Sequence, residues 1–105
     1  MAFTGQEHHD VTLNDAAAMT KRYRDASINP IKGGFFGRDA IEAILAQTDC
    51  VGMRFYFALD DAQEPKMTVV LVGTKANEDD IVSGRIMDTA IPCPNRCGAN
   101  NKLNS

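Results

Sequence analysis

Two cysteines near the C-terminus are the residues of this sequence with the clearest capacity for chemistry. Cys93 and Cys97 have three residues between them, lie beside Pro92 and Pro94, and are followed directly by Gly98. Because proline restricts the backbone and glycine frees it, this run predicts a stiff turn that presents both sulfurs together. The spacing therefore favours chemistry that uses two thiols at once.

Three kinds of chemistry use such a pair, and the sequence leaves them open. A structural zinc site needs four ligands. Cys93 and Cys97 are the candidate metal ligands, Cys50 is a possible third, and two chains of a dimer could each supply a pair. Redox chemistry is less favoured, because the pair lacks the two-residue spacing and the helix N-terminus that lower a thiol pKa. A local disulfide would contribute about 2 kcal/mol and shape the tail more than hold the fold.

The single cysteine outside the tail has a simpler interpretation. Cys50 stands just ahead of an apolar stretch, where a free cysteine is most often a small buried hydrophobe.

Nothing else in the sequence predicts catalysis. His8 and His9 are the only imidazoles and lie in a polar N-terminal stretch, and no serine stands in a nucleophile-elbow setting. Asp60 and Asp61 are neighbours in a polar loop, where nothing would separate their pKa values. We therefore predict no catalytic residue and no bound cofactor, with zinc at the tail cysteines as the alternative.

Two further segments have a functional and a structural interpretation. The glycine-rich residues 31–37 before Arg38 could cradle an anion, but they follow a helix instead of a strand, so we expect a tight turn with Phe35 and Phe36 in the core. The acidic residues 78–80 lack the ligand pattern of a calcium loop, and we expect a solvated turn.

Two helices and a hairpin are predicted around these segments. Thr12, with Asp15 three positions later, predicts the start of a helix over 13–26. Apolar residues at helical spacing predict a second helix over 38–47. Residues 50–59 alternate, which predicts a half-buried strand with the following residues on its buried face: Val51, Met53, Phe55, Phe57 and Leu59.

The hairpin needs further strands. The polar loop 60–65 predicts an antiparallel return over 67–73, and the nearly continuous apolar character of that strand predicts a central position or burial at a subunit contact. Since a hairpin alone is marginal in water, we expect a short third strand within 81–87, interrupted near Ser83 and Gly84, with a single helical turn as the alternative.

The totals limit the class of protein. A chain of 105 residues and 11.4 kDa forms one domain, and a net charge of -3 favours neither nucleic acid nor an anionic membrane surface. No apolar run has the length of a membrane span or a signal segment. We expect a soluble, cytoplasmic protein without a disulfide scaffold.

The sequence also resembles a family of small bacterial proteins of uncharacterised function that carry a C-terminal Cys-Pro-x-x-Cys-Gly tail. The resemblance covers most of the chain beyond residue 12 and is carried by residues 36–47, 50–54 and 59–61 and by Pro92, Cys93, Pro94, Cys97 and Gly98. Asn95 stands where the family tends to have a second proline, so the turn loses that source of rigidity. The resemblance implies a stand-alone domain and no site.

Together these observations predict an α+β fold in which two N-terminal helices pack on a short antiparallel sheet. We expect a flexible N-terminus over 1–11, one domain over 12–90 and an extended cysteine and proline tail over 91–105. The strand with two apolar faces, and Arg54 and Tyr56 opposite the main core, predict a protein–protein interaction module that forms a homodimer. Thiol redox or metal binding at the tail is the competing hypothesis.

Overall fold

The computed structural model describes residues 2–88 and 90–104 and has an α+β fold with two helices and two antiparallel sheets. None of the described helices is long and apolar enough to cross a membrane.

The first helix, α1, spans Leu13–Asp25 and begins as the sequence predicts. The Thr12 hydroxyl accepts a hydrogen bond from the Asp15 backbone N–H at 3.1 Å, which satisfies one of the free donors of the first turn. None of the α1 residues is fully buried. Tyr23 links α1 to the remainder of the fold, since its hydroxyl donates to the Ile31 carbonyl at 3.0 Å.

The second helix, α2, spans Arg38–Leu45 and contacts the hairpin. Ile44 is fully buried and is the main anchor of this helix. Gln47, just beyond the helix, donates to the Ile44 carbonyl at 2.9 Å and accepts from the Arg85 N–H at 2.7 Å. The end of α2 is thereby tied to the loop that follows the hairpin.

The hairpin consists of β2, Cys50–Leu59, and β3, Met67–Lys75, in antiparallel register from Leu59 opposite Met67 to Cys50 opposite Lys75. A third strand, β4, covers Ile86–Met87 and pairs with the other side of β3, giving the order β2-β3-β4. The predicted hairpin, the central position of β3 and the third strand are confirmed. The third strand is shorter than predicted, and β2 is an edge strand.

A second sheet was not predicted from the sequence. β1, Gly33–Phe35, pairs antiparallel with β5, Ile91–Cys93, so that Gly33 lies opposite Cys93. The sequence predicts a glycine-rich connection and an extended tail for these residues. The segment 91–93 is instead a paired strand, and the Lys32 N–H adds a hydrogen bond to the Cys93 carbonyl at 2.6 Å.

The core is small and lies on β3. Its buried hydrophobic residues are Ile31, Ile44, Leu71 and Val72. Two burial predictions are wrong. Phe35 is exposed instead of filling the core, and the β2 face that was expected to be buried is largely open to solvent. These side chains are exposed because β1 and β2 lie at sheet edges, where fewer elements of the fold pack against them.

Candidate interaction surface

An exposed apolar row runs along β2. Its members alternate along the strand and so share one face of the sheet. We call this set the edge row, and the exposed fractions of its residues are Met53 38%, Phe55 57%, Phe57 75% and Leu59 66%. The rings of Phe55 and Phe57 stack edge to face with centroids 5.5 Å apart, which orders the middle of the row.

The backbone at the edge row faces away from β3. The Asp60 N–H donates to the Lys66 carbonyl at 3.1 Å, in a pair that continues the register of the hairpin. Bonded and non-bonded pairs alternate along an antiparallel ladder, so the even-numbered residues of β2 bond to β3. The N–H and C=O groups of Met53, Phe55 and Phe57 therefore point to the open side of β2, which within residues 2–88 and 90–104 has no second strand partner.

Helix α2 contacts both β2 and β3, and the segment after α2 packs on β3. Gly73 lies opposite Met53 and on the same face as the edge row. A Cβ at Gly73 would lie 2.7 Å from the Gln47 Nε2 and 3.1 Å from the Cys50 Sγ, so the segment after α2 packs directly on this strand. Beyond this segment the side chains of the edge row on β2 are exposed to solvent.

The opposite face of β2 carries a polar cluster. An Arg54 Nη1 lies 2.5 Å from an Asp80 Oδ1 and 3.1 Å from the Glu78 carbonyl. The Tyr56 hydroxyl donates a short hydrogen bond to the other Asp80 oxygen, and the Thr74 hydroxyl donates to Asp80 at 3.4 Å. These bonds hold the loop after β3 against the sheet.

The polar cluster corrects the expectation of a wholly solvated acidic turn, because the Asp80 side chain is only 17% exposed. The hydrogen bond from Tyr56 is the largest cause that lowers the pKa of the Asp80 carboxyl; burial opposes it, and the hydrogen bond and charge of Arg54 and the hydrogen bond from Thr74 add to the lowering. Sequence reasoning missed this site. The available signal was the charge of Arg54 on the polar face of an otherwise apolar strand.

The N-terminal segment covers the beginning of β2. The Phe3 ring lies 5.6 Å from the Arg54 guanidinium, and the Phe3 N–H donates to the Ala76 carbonyl at 2.8 Å. A Cβ on Gly5 would lie only 2.8 Å from the Val51 carbonyl oxygen. The N-terminal segment therefore closes the edge at Val51, and four of its residues line one cavity with Met53 and Phe55.

The chain exposes more surface than a compact monomer of its mass. Its accessible surface is 7937 Å², whereas folded monomers of this mass expose roughly 5,800 Å². The radius of gyration is 15.3 Å, against about 13 Å for a compact domain of this length. The excess is larger than the approximately 800 Å² that each partner contributes to a standard protein interface.

The tail cysteines are joined to each other. Cys93 and Cys97 form a disulfide across a Cα–Cα distance of 4.6 Å. Cys50 has a free thiol and lies opposite Lys75 in the strand register, at one end of the β2–β3 hairpin. Met67 and Thr68, at the other end of β3, line a cavity together with Pro92 of the tail. At about 3.3 Å per residue, the distance along β3 from Met67 to Lys75 exceeds roughly 20 Å. The structure therefore brings Cys93 and Cys97 together and leaves Cys50 apart.

The described residues contain no cluster of three or more His, Cys, Asp or Glu side chains that could hold a metal ion. In the disulfide form each tail sulfur is bonded to the other, so zinc binding by Cys93 and Cys97 applies to the reduced thiols and stays a prediction. His8 and His9 are both exposed. The predicted relationship to small bacterial proteins also stays a prediction. No family model, no curated protein and no solved structure matches this chain.

Proposed function

We propose that the protein is a self-associating interaction module that forms a homodimer through the open edge of β2. The observation that carries the proposal is the edge row, four apolar side chains beside backbone groups that have no second strand to bond to in the described part of the chain. A long, flat, apolar edge is a template for pairing, and proteins that stay monomeric blunt such edges with charge, proline or cover. β2 contains one charged residue, Arg54, and Asp80 neutralises it.

A second copy of the chain fits this edge. Antiparallel pairing about a two-fold axis at Tyr56 places Phe55 opposite Phe57 of the second copy and Met53 opposite Leu59 of the second copy. Arg54 then faces Ala58, so no like charges oppose each other. The pairing begins beyond Val51, where Gly5 lies, and it joins two three-stranded sheets into one of six strands.

A register centred on Arg54 is less favourable. It would place the two Arg54 side chains directly opposite each other, and like charges in that position destabilise a strand pair. It would also bring the partner strand against Val51, where Gly5 already lies. The register centred on Tyr56 avoids both conflicts.

The proposal is tested with light scattering on a sizing column. We expect the wild-type chain to elute as a dimer at high micromolar concentration and Phe57→Glu to elute as a monomer, because a carboxylate in the row would be desolvated by the partner strand. Val82→Glu is the matched control, since Val82 is 74% exposed and lies outside β2. A monomeric wild-type chain, or a dimeric Phe57→Glu, would contradict the proposal.

We also propose how the helices pack, where in the cell the protein works and to which family it belongs. In the dimer both helices pack on the hairpin sheet, and the chain works in the cytoplasm as a member of the bacterial family that it resembles. The contact of α2 with β2 and β3, and the bond from Tyr23 to Ile31 beside the hairpin, support the packing.

A second candidate function is a reversible thiol pair at Cys93 and Cys97, and the observation that favours it is their disulfide. The two sulfurs meet across a loop of five residues, so reduction and reoxidation need little movement of the chain. Reduced protein should bind zinc or titrate as a dithiol, and the double variant Cys93→Ser, Cys97→Ser should do neither while its circular dichroism stays unchanged. Identical metal content and thiol titration in the two proteins would remove this candidate.

A further inference from the structure

The residues that follow the disulfide fold back onto helix α1. We call residues 98–104 the C-terminal segment. The Lys102 ammonium donates to the side-chain oxygen of Asn14 at 3.2 Å, and the Arg24 guanidinium donates to the Leu103 carbonyl at 2.8 Å. Asn14 lies in the first turn of α1 and Arg24 in the last. Two adjacent residues of the C-terminal segment therefore reach both ends of the helix.

Helix α1 depends on contacts of this kind because none of its 13 residues is fully buried. Its Tyr23 hydroxyl donates to the Ile31 carbonyl, which fixes the C-terminal half of the helix. A helix of this length is marginal in water when it is isolated. The stability of α1 is therefore set by how well it is docked, and the C-terminal segment takes part in that docking.

The disulfide determines where the C-terminal segment starts. Cys97 directly precedes the segment, and its bond to Cys93 ties it to β5. β5 in turn pairs with β1, where Gly33 lies opposite Cys93. The Asn104 side chain donates to the Cys97 carbonyl at 3.4 Å and to the Ala99 carbonyl at 3.2 Å, so the segment closes on itself. A compact turn is thus attached to the smaller sheet at one sulfur and reaches α1 from there.

We propose that the Cys93–Cys97 disulfide is a redox switch that docks the C-terminal segment on α1 when oxidised and releases it when reduced. A dithiol reductant breaks the S–S bond, passes two electrons and two protons to the two sulfurs, and becomes a disulfide itself. The segment then stays joined to β5 through the main chain of residues 94–96 alone, and its exposed hydrogen bonds to α1 contribute little without a fixed starting point. This inference rests on the reversible thiol pair of the second candidate function and is independent of the dimer.

The test is hydrogen–deuterium exchange of the full-length chain with and without dithiothreitol, combined with thiol titration of the same samples. Because reduction opens a loop of five residues, we expect exchange in the C-terminal segment to become faster by roughly tenfold. Exchange in α1 should rise by about threefold, and exchange in the β2–β3 hairpin should stay constant. If two new thiols form and α1 exchanges at the same rate, the switch is wrong although the thiol pair stands. If no new thiols form, both are wrong.

Three variants separate the disulfide from other effects of the reductant. The double variant Cys93→Ser, Cys97→Ser should show the fast exchange without dithiothreitol, and slow exchange in its α1 would overturn the proposal. Cys50→Ser keeps the disulfide and should respond to dithiothreitol as the wild-type chain does. Lys102→Met removes one contact to α1 from the side of the segment. It should speed exchange of α1 in the oxidised protein and not in the reduced protein, and the same increase in both states would contradict redox-dependent docking even if the double variant failed to fold.

Discussion

The two long strands of the hairpin, β2 and β3, are both rich in apolar residues, but β3 is buried and β2 is largely exposed. β2 and β3 pair residue for residue, and Phe55 lies directly opposite Leu71. Leu71 is 9% exposed, whereas Phe55 is 57% exposed. Both side chains are apolar and both lie on the same face of the sheet, so apolar character alone does not explain the difference.

The difference follows from the number of neighbours around each strand. β3 has β2 on one side, β4 on the other and the segment after α2 above it. β2 has one strand neighbour among the described residues, and its outward backbone groups face no second strand there. The comparison identifies β2 as the place where the sheet can be extended by a second chain.

We expect the largest effect on stability from a substitution in β3, the buried strand. Leu71→Ala removes a core side chain and leaves a cavity under α2, so unfolding free energy should fall by about 2–5 kcal/mol. Urea denaturation measures it, and the loss should be the same at low and high protein concentration. A loss that appears only at high concentration would mean that Leu71 is buried by the partner instead of by its own chain.

Gly73→Ala tests how closely the segment after α2 approaches β3. The new methyl would meet Gln47 and Cys50 at 2.7 and 3.1 Å, and crowding of this kind costs about 1–3 kcal/mol. Gly52→Ala, at a β2 position with open space around its Cβ, is the control and should change the unfolding free energy little. Equal effects of the two substitutions would show that β3 is no better covered than β2.

Phe55→Ala tests the exposed side. In the proposed dimer Phe55 would pack against the second copy, and truncation of such an anchor costs more than about 1 kcal/mol of binding, or at least fivefold in Kd. Sedimentation equilibrium measures the Kd, and urea denaturation of the dilute protein should show little change. Val82→Ala is the control for a loss of exposed apolar surface elsewhere, and the same Kd change in both variants would contradict a specific contact.

We expect the smallest effect on stability from the polar cluster on the opposite face of β2. Because the pKa of the Asp80 carboxyl is lowered in the folded state, its contribution to stability is present above the ordinary Asp pKa of about 3.9 and is lost as the pH falls through the lowered value. The difference in Tm between the wild-type chain and Asp80→Asn should therefore shrink below about pH 4. Tyr56→Phe, which removes the first donor to Asp80, should weaken this pH dependence, and a pH-independent difference would contradict the assignment.

Local patterns account for the elements that were predicted correctly. Thr12 and Asp15 mark the start of α1, the helical spacing of Ile41 and Ile44 marks α2, and alternation marks β2. Each signal lies within a dozen residues, so no distant contact was needed to read it. The edge row itself was visible in the sequence as a set, but its exposure was not.

Long-range pairing accounts for what was missed. β1 and β5 are three residues each, lie far apart in the chain and contain glycine or proline, so neither shows a period. Asp80 was assigned to solvent because its partners, Arg54 and Tyr56, lie more than twenty residues away. A sequence pattern of one segment carries no information about such partners.

By itself the sequence determined the two helices and the hairpin. The tertiary structure alone decided which strand became the edge, which apolar residues stayed in solvent, and that the two tail sulfurs join while Cys50 stays apart. The physical reason is that periodicity records the direction in which a side chain points, whereas burial depends on what the rest of the chain places in front of it.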